Sequence, residues 1–276
     1  VEFQSHSSTH CILRRHPRLA AVTEPNGHCD VNLDNAYEPR PDRHKKHFSN
    51  IFIETANEQL RCRKIHIPNA WNTTPKLVLD ENEKIGPLEI LGKYPKPWVF
   101  ICPRSYSHLN RTVPDNIWQQ AATLIKATCF WLGMDTAPAG VIDIGIRHVD
   151  NVIRYLACAD LLVTTDTGPL HIAAALQTPV VGIAQASSPR LHISNQRDFV
   201  TVSPPNLTCL NCQKEICPIH ASQPPCQQIP PELIAHTVNK RLAAYFSEDT
   251  SAVIAVYRPD VSRQVVVCTH NHSPLA

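Results

Sequence analysis

The chain has 276 residues, of which 43% are hydrophobic and 18% charged, and its formal net charge at pH 7 is +2. This composition is typical of a globular protein with one large core or two modest ones. No apolar run approaches the roughly 18–20 residues that span a bilayer, so no membrane span is predicted. A charge this close to neutral gives no clear signal for nucleic acid or for an acidic lipid surface.

The proline and cysteine contents indicate the character of the loops and the cellular compartment. The chain contains 24 prolines but 8 glycines, which predicts stiff loops. Seven of its 11 cysteines are scattered singly, as expected in a reducing compartment, and we therefore predict a cytoplasmic protein. The chain starts at Val1 and lacks the charged start and apolar stretch of a signal peptide, so we expect a partial chain.

The first 96 residues show weak patterning, with a predicted helix over 48–60 and a short predicted strand over 76–79. From Trp98 onward, short apolar runs alternate with segments of helical periodicity. The predicted strands are 98–102, 129–132, 141–144, 161–165 and 180–184. The predicted helices are 114–126, 149–157, 169–176 and 231–246. Strands that alternate with helices indicate a doubly wound α/β domain with a parallel sheet.

The segment 161–171, with the sequence LLVTTDTGPLH, ends a buried strand and begins a helix. Amides at a helix start lack partners within the helix and carry partial positive charge, which favours an anion. Gly168 lets a phosphate approach the main chain, Thr167 offers a hydroxyl, and Pro169 at the first turn loses no useful donor. Asp166 would repel phosphate. It fits either a hydrogen bond to sugar hydroxyls or a simple helix cap.

The sequence DTGPLHIAAAL at 166–176, followed by TPVVG at 178–182, resembles the C-terminal signature of glycosyltransferase family 9. These are the heptosyltransferases of bacterial surface-sugar assembly. The resemblance extends to 149–160, 103–105, Arg111 and 114–118, and more weakly over 16–91. It implies a GT-B architecture of two Rossmann-like lobes, with the donor bound mainly by the C-terminal lobe, the acceptor by the N-terminal lobe, and no catalytic metal.

The domain organisation follows from this resemblance. We expect an incomplete N-terminal, acceptor-side lobe at 1–96 and a nucleotide-sugar-binding lobe at 97–246. We expect a tail at 247–276, with strands predicted at 253–256 and 265–268.

The resemblance also implies roles for individual residues. Arg111 would neutralise the leaving diphosphate, and Asp166 would contact the donor sugar. The remaining donor contacts would come from Ser105, Tyr106, Asp135, Arg147, Thr167, Gly168 and His171. Fixed donors and a cation are suited to this reaction, because negative charge builds on the leaving phosphate as its bond to the sugar breaks. The alternatives are a solvated basic loop for Arg104 and Arg111 and a packed helix histidine for His171.

Four cysteines, Cys209, Cys212, Cys217 and Cys226, lie in a proline-rich loop over 205–229. Tetrahedral sulfur ligation favours zinc or iron, and four sulfurs leave no open position, so such a metal would serve folding or assembly. In transferases that act on bacterial autotransporter proteins, the segment that this one resembles is a four-cysteine iron-binding finger. Other relatives have similar cysteines without metal. A structural iron or zinc is therefore predicted, with His220 as a spare ligand and free or disulfide-paired thiols as the alternative.

Transfer also needs a base that takes the acceptor's proton. In the family this is a carboxylate after the first strand, which would precede Val1 here. Asp30 and Asp34 are the nearest acidic residues, but they are more typical of turns. The leading hypothesis is a glycosyltransferase with a nucleotide-diphosphate sugar as donor and an unidentified glycan or protein as acceptor. A non-catalytic binding or assembly module and an epimerase are the alternatives, and a homo-oligomer is a further expectation.

Overall fold

A computed structural model describes residues 2–4, 11–12, 14–15, 21–23, 40–41, 48–61, 76–105, 109–191, 193, 198–214 and 216–247. Tyr106, Asp30, Asp34 and the two strands predicted in the tail lie outside these residues. Within these ranges, no helix combines the length and the apolar character needed to cross a membrane.

Two parallel sheets are present in the described residues. Strands β1 (Glu2–Gln4) and β2 (Ala21–Thr23) form a separate pair. The larger sheet contains β3 (Trp98–Cys102), β4 (Thr128–Trp131), β5 (Leu161–Thr164), β6 (Val180–Ile183) and β7 (Phe199–Val202). Its order is β4-β3-β5-β6-β7, with every neighbouring pair parallel. The predicted doubly wound parallel sheet is confirmed.

Helices connect these strands. They are α1 (Phe48–Leu60), α2 (Glu81–Leu91), α3 (Asp115–Leu124), α4 (Val149–Leu156), α5 (Gly168–Leu176) and α6 (Pro231–Ser247). Five of the six were predicted, but α2 was not. Its start carries a capping box, in which the Asp80 side chain accepts from the Asn82 amide and the Glu83 side chain accepts from the Asp80 amide.

The sheet is buried on both faces, because successive side chains of a strand point to opposite sides. On one face, Val99 and Ile101 of β3 pack in a cluster with Trp118 of α3 and Ile234 of α6. On the other face, Phe100 packs in a cluster that also contains residues of α2, α4 and α5. This two-sided burial explains why the strands appear in the sequence as continuous apolar runs.

Residues 77–94 contribute Leu77, Leu79 and Leu91 to the same cluster as Phe100. The Leu77 amide also donates to the Ala175 carbonyl, at the end of α5, over 2.9 Å. This segment therefore packs against helices of the sheet domain, and the domain boundary at residue 96 stays a prediction.

Two predicted strands are wrong. Residues 76–79 form no strand, and with other described residues they make single backbone hydrogen bonds, such as that from the Val78 amide to the Arg15 carbonyl at 3.4 Å. Residues 141–144 form one isolated bridge, between Ile142 and Phe130. Gly140 and Gly145 have φ of 85° and 73°, and these left-handed turns on either side prevent a longer ladder. Strand β7, which completes the sheet edge, was not predicted.

Candidate functional site

Three loops meet at the carboxyl ends of the sheet strands. Their described residues are 103–105 and 109–114 after β3, 165–167 after β5 and 184–188 after β6. Strands β3 and β5 are hydrogen-bonded neighbours although β4 lies between them in the sequence, so the strand order reverses at this position. Ligands of open α/β sheets bind in the crevice at such a reversal.

The two residues predicted to be catalytic meet at this edge. Arg111, at the end of the short 3-10 turn Leu109–Arg111, donates from Nη1 to Asp166 Oδ2 over 3.0 Å and to the Asp166 carbonyl over 3.3 Å. The Asp166 side chain is 6% exposed and that of Arg111 is 22% exposed. Among the described residues, only Asp166 pairs with this guanidinium. Because a guanidinium has five N–H donors, donors remain for a second anion.

The start of α5 reaches the surface beside this pair. Thr167, Gly168 and Pro169 are half-buried, whereas Asp166 and Leu170 on either side are buried. The N-cap residue is Thr167, whose side chain makes no capping hydrogen bond. Asp166 is thus not the N-cap residue itself, and its carboxylate pairs with Arg111.

The Thr167 hydroxyl lies 2.9 Å from the Thr164 hydroxyl and 3.5 Å from Cys102 Sγ. Cys102 is buried, and this burial raises the pKa of its thiol. The thiol therefore stays neutral at pH 7 and adds no charge to an anion site.

Ser105 and His171 have different positions in this region. Ser105 is buried, and its amide donates to the Arg111 carbonyl over 3.3 Å, which helps to close the loop. His171 lies one turn into α5 and is 6% exposed. Its burial agrees with the alternative of a packed helix histidine as well as with a donor contact at the inner wall of a crevice.

A second set of charged side chains lies in the segments after β3 and β4. Arg104 pairs with Asp135 Oδ2 at 2.8 Å and also with Asp115. Gly133 has no room for a side chain, because an added Cβ would lie 2.2 Å from Trp131 Nε1 and 2.6 Å from Asp135 Oδ1. Arg104 and Arg111 are thus both paired in the structure, which contradicts the alternative of a solvated basic loop.

Arg147 has an ion-pair partner close to it in the sequence. It pairs with Asp143, with 2.6 Å between Nη2 and Oδ2. This hydrogen bond is the main cause that lowers the pKa of Asp143.

The cysteine loop packs against the loop that carries Arg111. Cys217 and Cys226 are buried, Cys209 and Cys212 are half-buried, and all four are free thiols, so the disulfide alternative is wrong. Burial raises the pKa of Cys226, and together with the nearby thiols it brings this pKa from 9.0 to about 11. Across the described ranges, no three His, Cys, Asp or Glu side chains are grouped to hold a metal ion. His220 is exposed, and its ring accepts from the Gln223 amide at 3.1 Å.

Two buried amides at this edge were missed by the sequence analysis. Asn110 is 3% exposed and Gln185 is 1% exposed. Both donate to backbone carbonyls, and such contacts have no sequence pattern that would reveal them.

Residues 145–222 match the model of glycosyltransferase family 9 (heptosyltransferase). This match confirms the resemblance, and it includes the Asp166 turn and the first three cysteines of the loop. No curated protein matches the chain.

Solved structures of family 9 proteins share the fold. The glycosyl transferase family 9 protein from Veillonella parvula is 12% identical, with 88% of each chain covered and a TM-score of 0.64. The E. coli ADP-heptose LPS heptosyltransferase II is 14% identical, with 89% of this chain and 90% of that chain covered and a TM-score of 0.61. The iron-containing dodecameric glycosyltransferase TibC from enterotoxigenic E. coli is 14% identical, with 88% and 68% covered and a TM-score of 0.59. These likenesses establish the GT-B fold.

Proposed function

We propose that this chain transfers a sugar from a nucleotide-diphosphate donor to a glycan or protein acceptor. The observation that carries the proposal is the Arg111–Asp166 pair, which lies at the strand-order reversal beside the half-buried start of α5. The match to family 9 over 145–222 supports sugar transfer in general. One similar structure is of an ADP-heptose heptosyltransferase, so ADP-heptose is the first donor to test.

The diphosphate would bind where positive charge is fixed in place. The amide end of α5 supplies partial positive charge, and Arg111 supplies a full charge together with its remaining donors. Asp166 partly offsets that charge, so we expect it to face the sugar hydroxyls while Arg111 faces the phosphate. The further donor contacts in the proposal are Ser105, Tyr106, Asp135, Arg147, Thr167, Gly168 and His171.

The proposed reaction is a direct displacement with inversion at the anomeric carbon. The acceptor oxygen forms a bond to that carbon as the bond to the diphosphate oxygen breaks, and the electron pair leaves with the diphosphate. Arg111 and the α5 amides stabilise the charge that develops there. The acceptor hydroxyl gives its proton to a base, and the resemblance to family 9 implies a carboxylate after the family's first strand for that role.

Binding and turnover test the proposal separately. Thermal unfolding is measured with ADP-, GDP- and UDP-sugars, since a ligand at 100 times its dissociation constant stabilises the fold by about 2.7 kcal/mol. Release of the nucleoside diphosphate is then followed with the sugar that binds. Arg111→Gln should weaken binding, and Arg61→Gln is the matched control because Arg61 is exposed and lies outside the candidate site.

Three outcomes are separable in this experiment. Turnover that Arg111→Gln abolishes supports the transferase. Binding without turnover in the presence of candidate acceptors supports the non-catalytic module. If no nucleotide sugar raises the unfolding temperature, both readings fail.

We also propose that Cys209, Cys212, Cys217 and Cys226 hold a structural iron or zinc. Four sulfur donors suit either metal, and the other three thiols lie near enough to raise the pKa of Cys226. The loop must close further to gather them around one ion, because no such group is assembled in the described residues. The similarity to TibC, an iron-containing dodecameric glycosyltransferase, supports this proposal and that of a homo-oligomer.

Metal analysis of the purified protein tests this site. The parent should contain about one iron or zinc per chain, and Cys209→Ser should lose it. Cys158→Ser is the control, since Cys158 lies outside the loop. Equal metal content in Cys209→Ser and the parent contradicts the proposal. Light scattering of the same samples reports the oligomeric state, and fractionation of cells that express the full protein tests the proposed cytoplasmic location.

A further inference from the structure

Two backbone hydrogen bonds close the loop that carries Arg111, but neither of them joins the loop to another segment of the site. The Ser105 amide donates to the Arg111 carbonyl over 3.3 Å, and the Val113 amide donates to the Pro103 carbonyl over 3.1 Å. Both contacts lie within 103–113. The position of Arg111 relative to β5 therefore depends on contacts with other segments.

Gln185 supplies one such contact. It follows β6, and its buried Nε2 donates to the Thr112 carbonyl over 2.9 Å and to the Cys226 carbonyl over 3.2 Å. A primary amide has two N–H groups, so these two bonds use both. Gln185 thereby joins the residue after Arg111 to the cysteine loop.

Asn110 supplies the second contact, on the other side of Arg111. Its buried Nδ2 donates to the Lys214 carbonyl over 2.7 Å. The Asn110 backbone carbonyl accepts from Cys226 Sγ over 3.7 Å. The residues on both sides of Arg111 are thus tied to the segment 214–226.

The residues immediately before that segment are anchored beside β6. The Asn211 amide donates to the Gln185 carbonyl over 2.9 Å, and the Gln213 amide donates to the Ala186 carbonyl over 2.8 Å. Asn211 and Gln213 adopt φ of 60° and 54°, so a tight left-handed turn places these amides. Because β6 is bonded to β5, a continuous chain of contacts runs from Arg111 back to the strand that precedes Asp166.

We propose that Asn110 and Gln185 are positioning residues that hold the Arg111 guanidinium against Asp166. A small misplacement of a charged donor lowers catalysis steeply, since about 1 Å can cost about 100-fold. The effect on turnover rests on the proposed function. The effect on the position of Arg111 does not.

The test compares two substitutions of the same kind. Gln185→Met removes the amide that bridges to Thr112, while Gln213→Met removes an amide that donates to Asn211 Oδ1 within the cysteine loop. Hydrogen–deuterium exchange of the peptide 109–113 should be at least about 10-fold faster in Gln185→Met and unchanged in Gln213→Met. Asn110→Ser, with a shorter side chain that cannot reach Lys214 in the same way, should also speed exchange and covers the case in which Gln185→Met fails to fold.

A double-mutant cycle then shows whether these residues act through Arg111. Gln185→Met should lower kcat with the active nucleotide sugar by about 10–100-fold, with a smaller change in KM. In the Arg111→Ala background, Gln185→Met should cause almost no further loss of kcat. If Gln185 only stabilised the fold, the losses of kcat from the two substitutions would multiply.

The two readouts separate this inference from the function on which it rests. Faster exchange in Gln185→Met, together with no turnover by the parent, means that the transferase assignment fails while the positioning role stands. Unchanged exchange at 109–113 in both Gln185→Met and Asn110→Ser overturns the positioning role, whatever the activity.

Discussion

Arg111 Nη1 lies 3.0 Å from Asp166 Oδ2, and the two residues come from the loops after adjacent strands β3 and β5. The Asp166 side chain is only 6% exposed, so this ion pair is largely shielded from water. When one member of a buried pair is removed, the other charge is left uncompensated. The pair therefore matters for folding as well as for the proposed chemistry.

We expect Arg111→Ala to lower the free energy of unfolding by about 3 kcal/mol, because Asp166 loses its counter-charge. The double variant with Asp166→Asn should recover part of that loss, since no buried charge remains. Urea denaturation of the two single variants and the double variant measures this coupling. Losses that simply add would contradict a pair that acts as one unit.

Thr167→Val should weaken binding of the nucleotide sugar about 10-fold, as expected for the loss of one hydrogen bond of about 1.4 kcal/mol. Stability should change little, because the Thr164 hydroxyl keeps its bond to the Thr165 carbonyl at 2.9 Å. Isothermal titration with the active donor gives the dissociation constant. Thr167→Ser keeps the hydroxyl and should bind as the parent does; equal weakening in both variants would point to backbone disturbance at the helix start instead.

The sheet and the α5 start were predictable because they depend on local patterns. Continuous apolar runs revealed β3, β5 and β6, and the proline after Gly168 marked the helix. The meeting of Arg111 with Asp166 was expected only through the family resemblance, since it depends on β3 and β5 being neighbours in space. Helix α2 was missed because its exposed charges and internal Pro87 hide the periodicity, although its capping box was visible in the sequence.

The amides of Asn110 and Gln185 illustrate what local patterns do not contain. Each bonds to a carbonyl of a segment distant in sequence, and any residue supplies a carbonyl. The error at 141–144 has a different cause, since the left-handed turns at Gly140 and Gly145 leave that β-like run with one bridge.

Gly133→Ala should lower stability and weaken nucleotide binding, because its Cβ would lie 2.6 Å from Asp135 Oδ1 and would displace the carboxylate that pairs with Arg104. Gly86→Ala is the matched control. A Cβ at Gly86 meets nothing within 4 Å, and alanine within α2 should stabilise the fold by about 0.5–1 kcal/mol. Calorimetry and donor titration on both variants check the prediction. Unchanged donor affinity in Gly133→Ala would remove Asp135 from the proposed site.

The pKa values of the buried thiols predict how the free energy of unfolding changes at alkaline pH. Burial raises the pKa of Cys129 from 9.0 to about 12 and that of Cys158 to about 11. Below pH 9 both thiols are protonated in the folded and unfolded chains, so they add no pH dependence there. Above pH 9 the unfolded chain loses these protons first. The free energy of unfolding should therefore fall by about 1.4 kcal/mol per pH unit for each thiol until the folded pKa is reached.

Comparison of variants isolates each thiol from other groups that titrate in the same range, such as Tyr155 and Tyr245, whose pKa values are also raised. Cys129→Ala should lower stability at pH 8, because it leaves a small cavity, yet it should flatten the decline between pH 9 and 12. Cys158→Ala should flatten it only between pH 9 and 11. Urea titrations at half-unit pH steps measure both slopes. Parallel curves for the parent and Cys129→Ala would mean that this thiol ionises as readily in the folded chain as in the unfolded one.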